Sequence, residues 1–288
     1  MMSSSVLIYI LSFNVILIIL IALMINRILN TYWFPSCPLK LKQTPFFYYG
    51  HRGSPTLAPE NTLISFQEAI NNKMDGIELD VQLSKDKKLI IYHDKYIDYN
   101  GSKIRISNLL LEQIQTIDVK NNFSKLSFQQ IPELSEVLDI LPPNMILNIE
   151  IKSYESNFFS NGIEDQLLKT IQGRINSQQL IISSFNPLII KRVKHKNTQV
   201  STALIWSTQS YRWFSAALLP NYMVLSSFCK PDVFHVKIED VNSKMVVWFQ
   251  KRNIPIYAYT VNNKSDLNKA KQYGLKGIFT DNPDIKDV

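Results

Sequence analysis

From residue 46 onward the chain alternates between short runs rich in β-branched and aromatic residues and longer stretches with helical periodicity, a pattern that few folds satisfy. The short runs are FFYYG (46–50), GIELDVQL (76–83), MILNIEIK (145–152), LIISS (180–184), VSTALIW (200–206), DVFHV (232–236), IPIYAYTV (254–261) and GIFT (277–280). Helices are expected over 61–73, 132–141, 164–175, 187–196, 242–253 and 263–274. Asn61 and Asn263 stand where N-caps are needed, Pro132 and Pro187 where a first turn tolerates a missing N–H, and Gly274 where a helix must stop. Eight strands in about 240 residues predict an α/β fold, a TIM (β/α)8 barrel. A doubly wound open sheet is the alternative, yet no glycine-rich phosphate loop follows any strand.

Ahead of this body, residues 6–25 (VLIYILSFNVILIILIALMI) are uncharged and broken only by Ser12 and Asn14. About 20 apolar residues cross a bilayer core. The run is longer than the apolar part of a signal peptide, with no basic leading segment and no small-residue cleavage site. The expectation is an N-terminal transmembrane anchor (1–29), a juxtamembrane linker (30–45) and a barrel domain (46–288). Trp33 suits the headgroup level, and Lys40 and Lys42 suit anionic membrane lipid. With Arg27, these lysines predict a barrel facing the cytoplasm.

The formal charge of +7 comes from 31 cations against 24 anions, and four of the cations precede the first acid, Glu60. The rest is a nearly balanced scatter without aromatic interleaving, so nucleic acid is not an expected partner. Cys37 and Cys229, the only two cysteines, support neither a disulfide framework nor a thiolate zinc site.

The chemistry gathers at strand ends. His51 and Arg52 follow the first strand directly, between Gly50 and Gly53. On the second strand Glu78 and Asp80 are two residues apart, so strand alternation turns both to one face while Ile77 and Leu79 take the other. The third repeats this with Asn148, Glu150 and Lys152. Three carboxylates at neighbouring strand ends suit a hard divalent ion, whereas an ion-pair network with Arg52 and Lys152 is the other reading. His93 and Asp94 end the run LIIYHD, so two of the four histidines fall beside the acids. Imidazoles flanking a metal act as general base and general acid in phosphoryl transfer. His195 lies in a basic helix and reads as solvated, and His235 has no assigned role.

In order along the chain, HRGSPTLAPENTLISFQEAI, DGIELDVQLSKDKKLIIYHD, IPELSEVLDILP, NIEIK, SSF, AYTVN and GIFTDNPD resemble the glycerophosphodiester phosphodiesterase family, from about Tyr48 to Asp284. The resemblance implies a TIM barrel related to that of phosphatidylinositol-specific phospholipase C, with an insertion after the His-Asp motif, here about 95–131. It implies His51 as proton acceptor, His93 as proton donor, and Glu78, Asp80 and Glu150 as ligands of one divalent ion, Mg²⁺ or Ca²⁺. Arg52 and Lys152 are then expected on phosphate oxygens, Glu60 beside Arg52 or the metal, and Tyr259 as an aromatic wall of the substrate site. Asn61 is expected to cap a helix and Asp281 to be structural. Lys87 replaces a turn glycine, and the stretch from Tyr96 to Gly101 replaces the family's R-T-T-N-G segment, which bears on substrate positioning. The implied reaction converts glycerophosphodiesters, of glycerophosphocholine or glycerophosphoethanolamine type, or lysophospholipids to glycerol 3-phosphate or lysophosphatidate plus an alcohol. A related barrel of phospholipase C or sphingomyelinase D type would lack the ENT and TDNPD patterns, and a silent membrane-tethered binding barrel would lack a ligand or a histidine.

Overall fold

The computed structural model describes residues 4–30, 46–154, 160–211 and 220–287. Its strands are β1 (Phe47–Gly50), β2 (Gly76–Leu83), β3 (Leu89–Ile91), β4 (Tyr96–Tyr99), β5 (Ser102–Arg105), β6 (Ile146–Ile151), β7 (Leu180–Ser184), β8 (Ser201–Trp206), β9 (Val233–Lys237), β10 (Ile256–Tyr259) and β11 (Gly277–Thr280). Its helices are α1 (Ser4–Asn30), α2 (Leu63–Asn71), α3 (Leu111–Ile114), α4 (Leu134–Ile140), α5 (Ile163–Ile171), α6 (Pro187–Lys196), α7 (Asn221–Cys229), α8 (Ser243–Gln250) and α9 (Lys264–Gln272).

Eight parallel strands close into a ring in the order β1, β2, β6, β7, β8, β9, β10, β11, with β11 returning to β1. This is the TIM-like α/β barrel that the strand spacing predicts. Strand β3 lies outside the ring, antiparallel on β2 with Val81 opposite Ile91, and β4 and β5 form a separate hairpin. Between β3 and α4 the chain therefore leaves the barrel, building a small core of its own around Ile97, Ile106 and Ile114.

Alternation along each strand creates two apolar layers. Outward residues of β2 and β6, such as Leu79 and Ile149, pack beneath the helices with Phe66 of α2 and Leu134 of α4. Inward residues Phe47, Tyr49, Tyr257 and Phe279 plug the barrel with rings 5.0 to 6.5 Å apart. The plug leaves the polar inward residues near the C-terminal strand ends as the floor and walls of a cleft.

Three local expectations change. Helix α2 starts at Leu63, with the Thr62 hydroxyl accepting from the Ser65 N–H, so Thr62 and not Asn61 is the N-cap. Pro132 precedes α4, and its carbonyl accepts from the Ile91 N–H. Helix α7 was not expected, because NYMVLSSFC carries no charge to mark a solvent face; it buries Tyr222, Ser226 and Cys229.

Helix α1 has 27 residues and carries exposed apolar side chains such as Phe13, Ile16, Leu20 and Leu23. Ser12 and Asn14 donate to the carbonyls of Tyr9 and Ile10 within the helix. Among the described residues no helix is long and apolar enough to cross a membrane. The expected linker falls almost wholly on 31–45, outside the described residues.

Candidate active site

The turn after β1 brings the first two groups to the cleft. Arg52 adopts φ 54° and Gly53 φ 89°, and a Cβ on Gly53 would collide with the Ser65 hydroxyl and backbone, so glycine is required for α2 to pack this close. The turn aims the Arg52 N–H at Glu78 Oε2, 2.8 Å away. The Arg52 guanidinium is held by Glu60 at 2.9 and 3.0 Å and lies 3.4 Å from Asp80 Oδ2.

Glu78, Asp80 and Glu150 are all buried, and one oxygen from each lies within 4.8 Å of the others. Strands β2 and β6 pair Asp80 with Glu150 and Glu78 with Asn148, which brings these carboxylates side by side. Asn61, freed from capping, donates to Asp80 Oδ2 at 2.9 Å. Lys152 Nζ lies 2.7 Å from Glu150 Oε1 and 3.2 Å from Asp80 Oδ1. Burial opposes the charge on Asp80, yet Lys152 and Arg52 hold its carboxyl well below the usual range. Glu78 goes the other way: burial and the neighbouring Asp80 charge raise its pKa. Burial also works against the two cations, but the Glu150 and Asp80 charges raise Lys152 and those of Asp80 and Glu60 raise Arg52. The ion-pair network foreseen in the sequence is thus present around Asp80 and Glu150. Among the described residues no ion pair reaches Glu78, whose hydrogen bond is from a backbone N–H; His51 and Arg52 offset its charge only in part, and such a buried carboxylate fits a site completed by a divalent cation.

The imidazoles are oriented in the same way. His51 Nδ1 is 2.6 Å from Asp281 Oδ1, and His93 Nδ1 is 2.7 Å from Asp94 Oδ1, leaving each Nε2 to the cleft. Burial tends to lower the pKa of His51, but the Asp281 hydrogen bond and the Glu78 charge raise it overall. His93 follows β3, outside the barrel ring. It is placed by Gln82 of β2, whose amide donates to the carbonyls of Tyr92 and Asp94, and by the Tyr154 hydroxyl, which donates to the His93 carbonyl at 2.6 Å.

The cleft these groups border measures about 570 Å³ when the open solvent at its mouth is included. His51, Arg52, Glu78, His93, Glu150, Lys152 and Tyr259 line it, whereas Glu60 and Asp80 reach it through Arg52 and Lys152. Tyr259 is anchored by its hydroxyl on the Trp206 carbonyl and stands edge-on to Phe185, which also lines the cleft. Asp281, expected to be structural, instead holds His51, and Asn262 in turn donates to Asp281 at 2.6 Å. Asn148 and His235 also border the cleft. Their period-two spacing from Glu150 and Val233 was the signal for both, but an inward position alone carries no role. His195 lies on α6, away from this cleft.

A barrel with two carboxylate-held imidazoles, buried acids and paired cations at its mouth defines a phosphoryl-transfer site. The sequence model of the Glycerophosphoryl diester phosphodiesterase family matches residues 51–285. A glycerophosphodiester phosphodiesterase of Caldanaerobacter subterraneus is 32% identical over 239 residues, covering 81% of this chain and 93% of the relative. A putative glycerophosphodiester phosphodiesterase of Bacillus subtilis is 32% identical over 250 residues, covering 84% and 97%. Among solved structures, a phosphodiesterase of Oleispira antarctica in complex with the product sn-glycerol-3-phosphate shares the fold with TM-score 0.71 at 23% identity, covering 84% of this chain and 95% of that one. The chain belongs to the glycerophosphoryl diester phosphodiesterase family. It is a glycerophosphodiester phosphodiesterase, a phosphoric diester hydrolase.

Proposed function

We propose that the cleft hydrolyses glycerophosphodiesters with one divalent ion, Mg²⁺ or Ca²⁺, held by Glu78, Asp80 and Glu150. The observation that carries this reading is the convergence on one cleft of two carboxylate-oriented imidazoles and three buried carboxylates, one of them, Glu78, in no ion pair among the described residues. When bound, the ion would supply charge withdrawal at a phosphate oxygen. Arg52 and Lys152 bind the remaining phosphate oxygens, with Glu60 steadying Arg52. His51 Nε2 takes the proton of the attacking hydroxyl, and His93 Nε2 protonates the departing alkoxide. Tyr259 and Phe185 wall off the substrate from water.

Glycerophosphocholine and glycerophosphoethanolamine types are the proposed soluble substrates, giving glycerol 3-phosphate and the free alcohol. The product bound by the Oleispira relative supports this direction of cleavage. The uncharged run at 6–25 supports a membrane anchor, and with it lysophospholipids as a second substrate class, since a tethered site meets lipid at high effective concentration. Arg27, Lys40 and Lys42 support a cytoplasmic-facing barrel. The test is product analysis on glycerophosphocholine and lysophosphatidylcholine, with and without EDTA. Choline plus glycerol 3-phosphate or lysophosphatidate, lost on chelation, is the expected result. Release of phosphocholine, or turnover indifferent to EDTA, contradicts the reading.

A further inference from the structure

Away from the catalytic cleft, α6 and α7 border a groove of about 1120 Å³, the open solvent at its surface included. Lys191, Arg192, Lys194, His195, Lys196 and Lys230 line it, and among the described residues no acidic side chain does. Three of these cations are paired from behind: Arg192 Nε lies 2.6 Å from Glu164, Lys194 Nζ 2.8 Å from Asp232 and Lys196 Nζ 2.6 Å from Asp165. Glu164 and Asp232 are buried, so the groove meets the cationic side of those pairs. Lys194 and Lys196 also complement the C-terminal end of α6, and by themselves they would be an ordinary solvated helix end. Lys191 and Lys230 are different. Both are exposed, and among the described residues neither is in an ion pair.

Apolar surface accompanies this charge. Lys191 Nζ stands 4.3 Å from the centre of the Phe228 ring, which is 44% exposed, and Leu188 lines the same groove. One residue before Phe228, the Ser227 hydroxyl donates to the Ile28 carbonyl of α1 at 3.5 Å. Upstream of that contact α1 exposes Phe13, Ile16, Leu20 and Leu23. The basic groove therefore adjoins an apolar helix. A nucleic acid or an acidic protein would use the lysines and leave Phe228 and α1 in water. An anionic bilayer takes up all three, because its phosphates meet the ammonium groups while its headgroup boundary accepts the aromatic ring and the lysine stems.

We propose that the α6–α7 groove is a docking surface for an anionic lipid bilayer, with Lys191 and Lys230 on lipid phosphates and Phe228 in the headgroup layer. The surface belongs to the barrel itself, apart from both the catalytic cleft and the proposed anchor at 6–25. Each lysine brought to an anionic membrane surface strengthens binding about fivefold, an effect that salt screens.

The experiment is co-sedimentation of the full chain with vesicles of phosphatidylcholine alone and of phosphatidylcholine mixed with phosphatidylglycerol, at low and high salt. Wild-type protein should bind the mixed vesicles roughly tenfold more tightly or better, the difference shrinking with salt. Arg27, Lys40 and Lys42 also attract anionic lipid, so the deciding comparison is between two double variants of equal charge. Lys191→Gln with Lys230→Gln should weaken binding to the mixed vesicles roughly tenfold. Lys88→Gln with Lys264→Gln, two exposed lysines elsewhere on the barrel, should leave it nearly unchanged. Both variants should unfold at the wild-type temperature and keep wild-type hydrolysis of glycerophosphocholine. Phe228→Ser should weaken binding at high salt as well as low, since its contact is apolar. Equal losses in the two double variants, or no loss in the groove pair, overturn the docking surface, as does wild-type binding indifferent to phosphatidylglycerol. Phe228→Ser binding as tightly as the wild type makes the groove a site for a soluble polyanion and overturns the bilayer. If phosphatidylcholine vesicles alone bind nothing, it is the proposed anchor that fails; the added binding to phosphatidylglycerol still reports the groove.

Discussion

Asp281 shows what a single carboxylate controls at this cleft. Its hydrogen bond occupies Nδ1 of His51 and leaves Nε2 to the cleft, and its presence raises the imidazole pKa against the opposing effect of burial. A base with a raised pKa becomes active at higher pH, so removing the Asp281 charge should move the acid limb of the kcat/KM profile to lower pH. Asp281→Asn should also lower kcat by on the order of ten- to a hundredfold, the usual cost of losing an orienting partner. A pH–rate series on both proteins checks this; an unmoved limb assigns Asp281 to the scaffold. The inward acids were legible because strand alternation is local, placing Glu78, Asp80 and Glu150 from their spacing alone. Asp281 was not, because it meets His51 across 230 residues of chain. Asn61 likewise satisfied a local capping rule, but a tertiary hydrogen bond to Asp80 prevailed and Thr62 took the cap.

Among the elements, the barrel strands were readable because their runs are short, apolar and bounded by turns, and each matches an observed strand to within a few residues. Helix α7 escaped because it lacks a charged face. The β4–β5 hairpin carried its own signal, Asn100-Gly101, whose two residues take φ 53° and 75° as a tight hairpin turn requires. The turn between β2 and β3 makes a sharper prediction. Lys87, exposed, holds φ 64°, a conformation that costs an L residue about 1–2 kcal/mol and glycine almost nothing sterically. After the entropy that glycine loses on folding, Lys87→Gly should stabilise the protein by roughly 0.5–1 kcal/mol. Thermal unfolding should then rise by about 1–4 °C, and an unchanged or lower midpoint would mean that the turn is not strained.

For the molecule as a whole, the barrel and α1 meet chiefly at α7, where the Ser227 hydroxyl lies 3.5 Å from the Ile28 carbonyl. The barrel's core layers are complete without α1. Deleting residues 1–29 should therefore release a folded barrel that hydrolyses glycerophosphocholine normally, no longer sediments with vesicles and slows on vesicle-borne lysophosphatidylcholine. Sedimentation unaffected by the deletion would remove the anchor from the account. The central claim is that the acids of β2 and β6 are held together by a divalent ion on which hydrolysis depends, and its most direct measurement combines binding with turnover. Protein stripped with EDTA should lose glycerophosphocholine hydrolysis, then regain it in proportion to Mg²⁺ or Ca²⁺ bound in a calorimetric titration. Glu78→Gln should remain folded and show neither binding nor recovery. Full turnover by the stripped protein, or metal binding and activity in Glu78→Gln equal to the wild type, would contradict it.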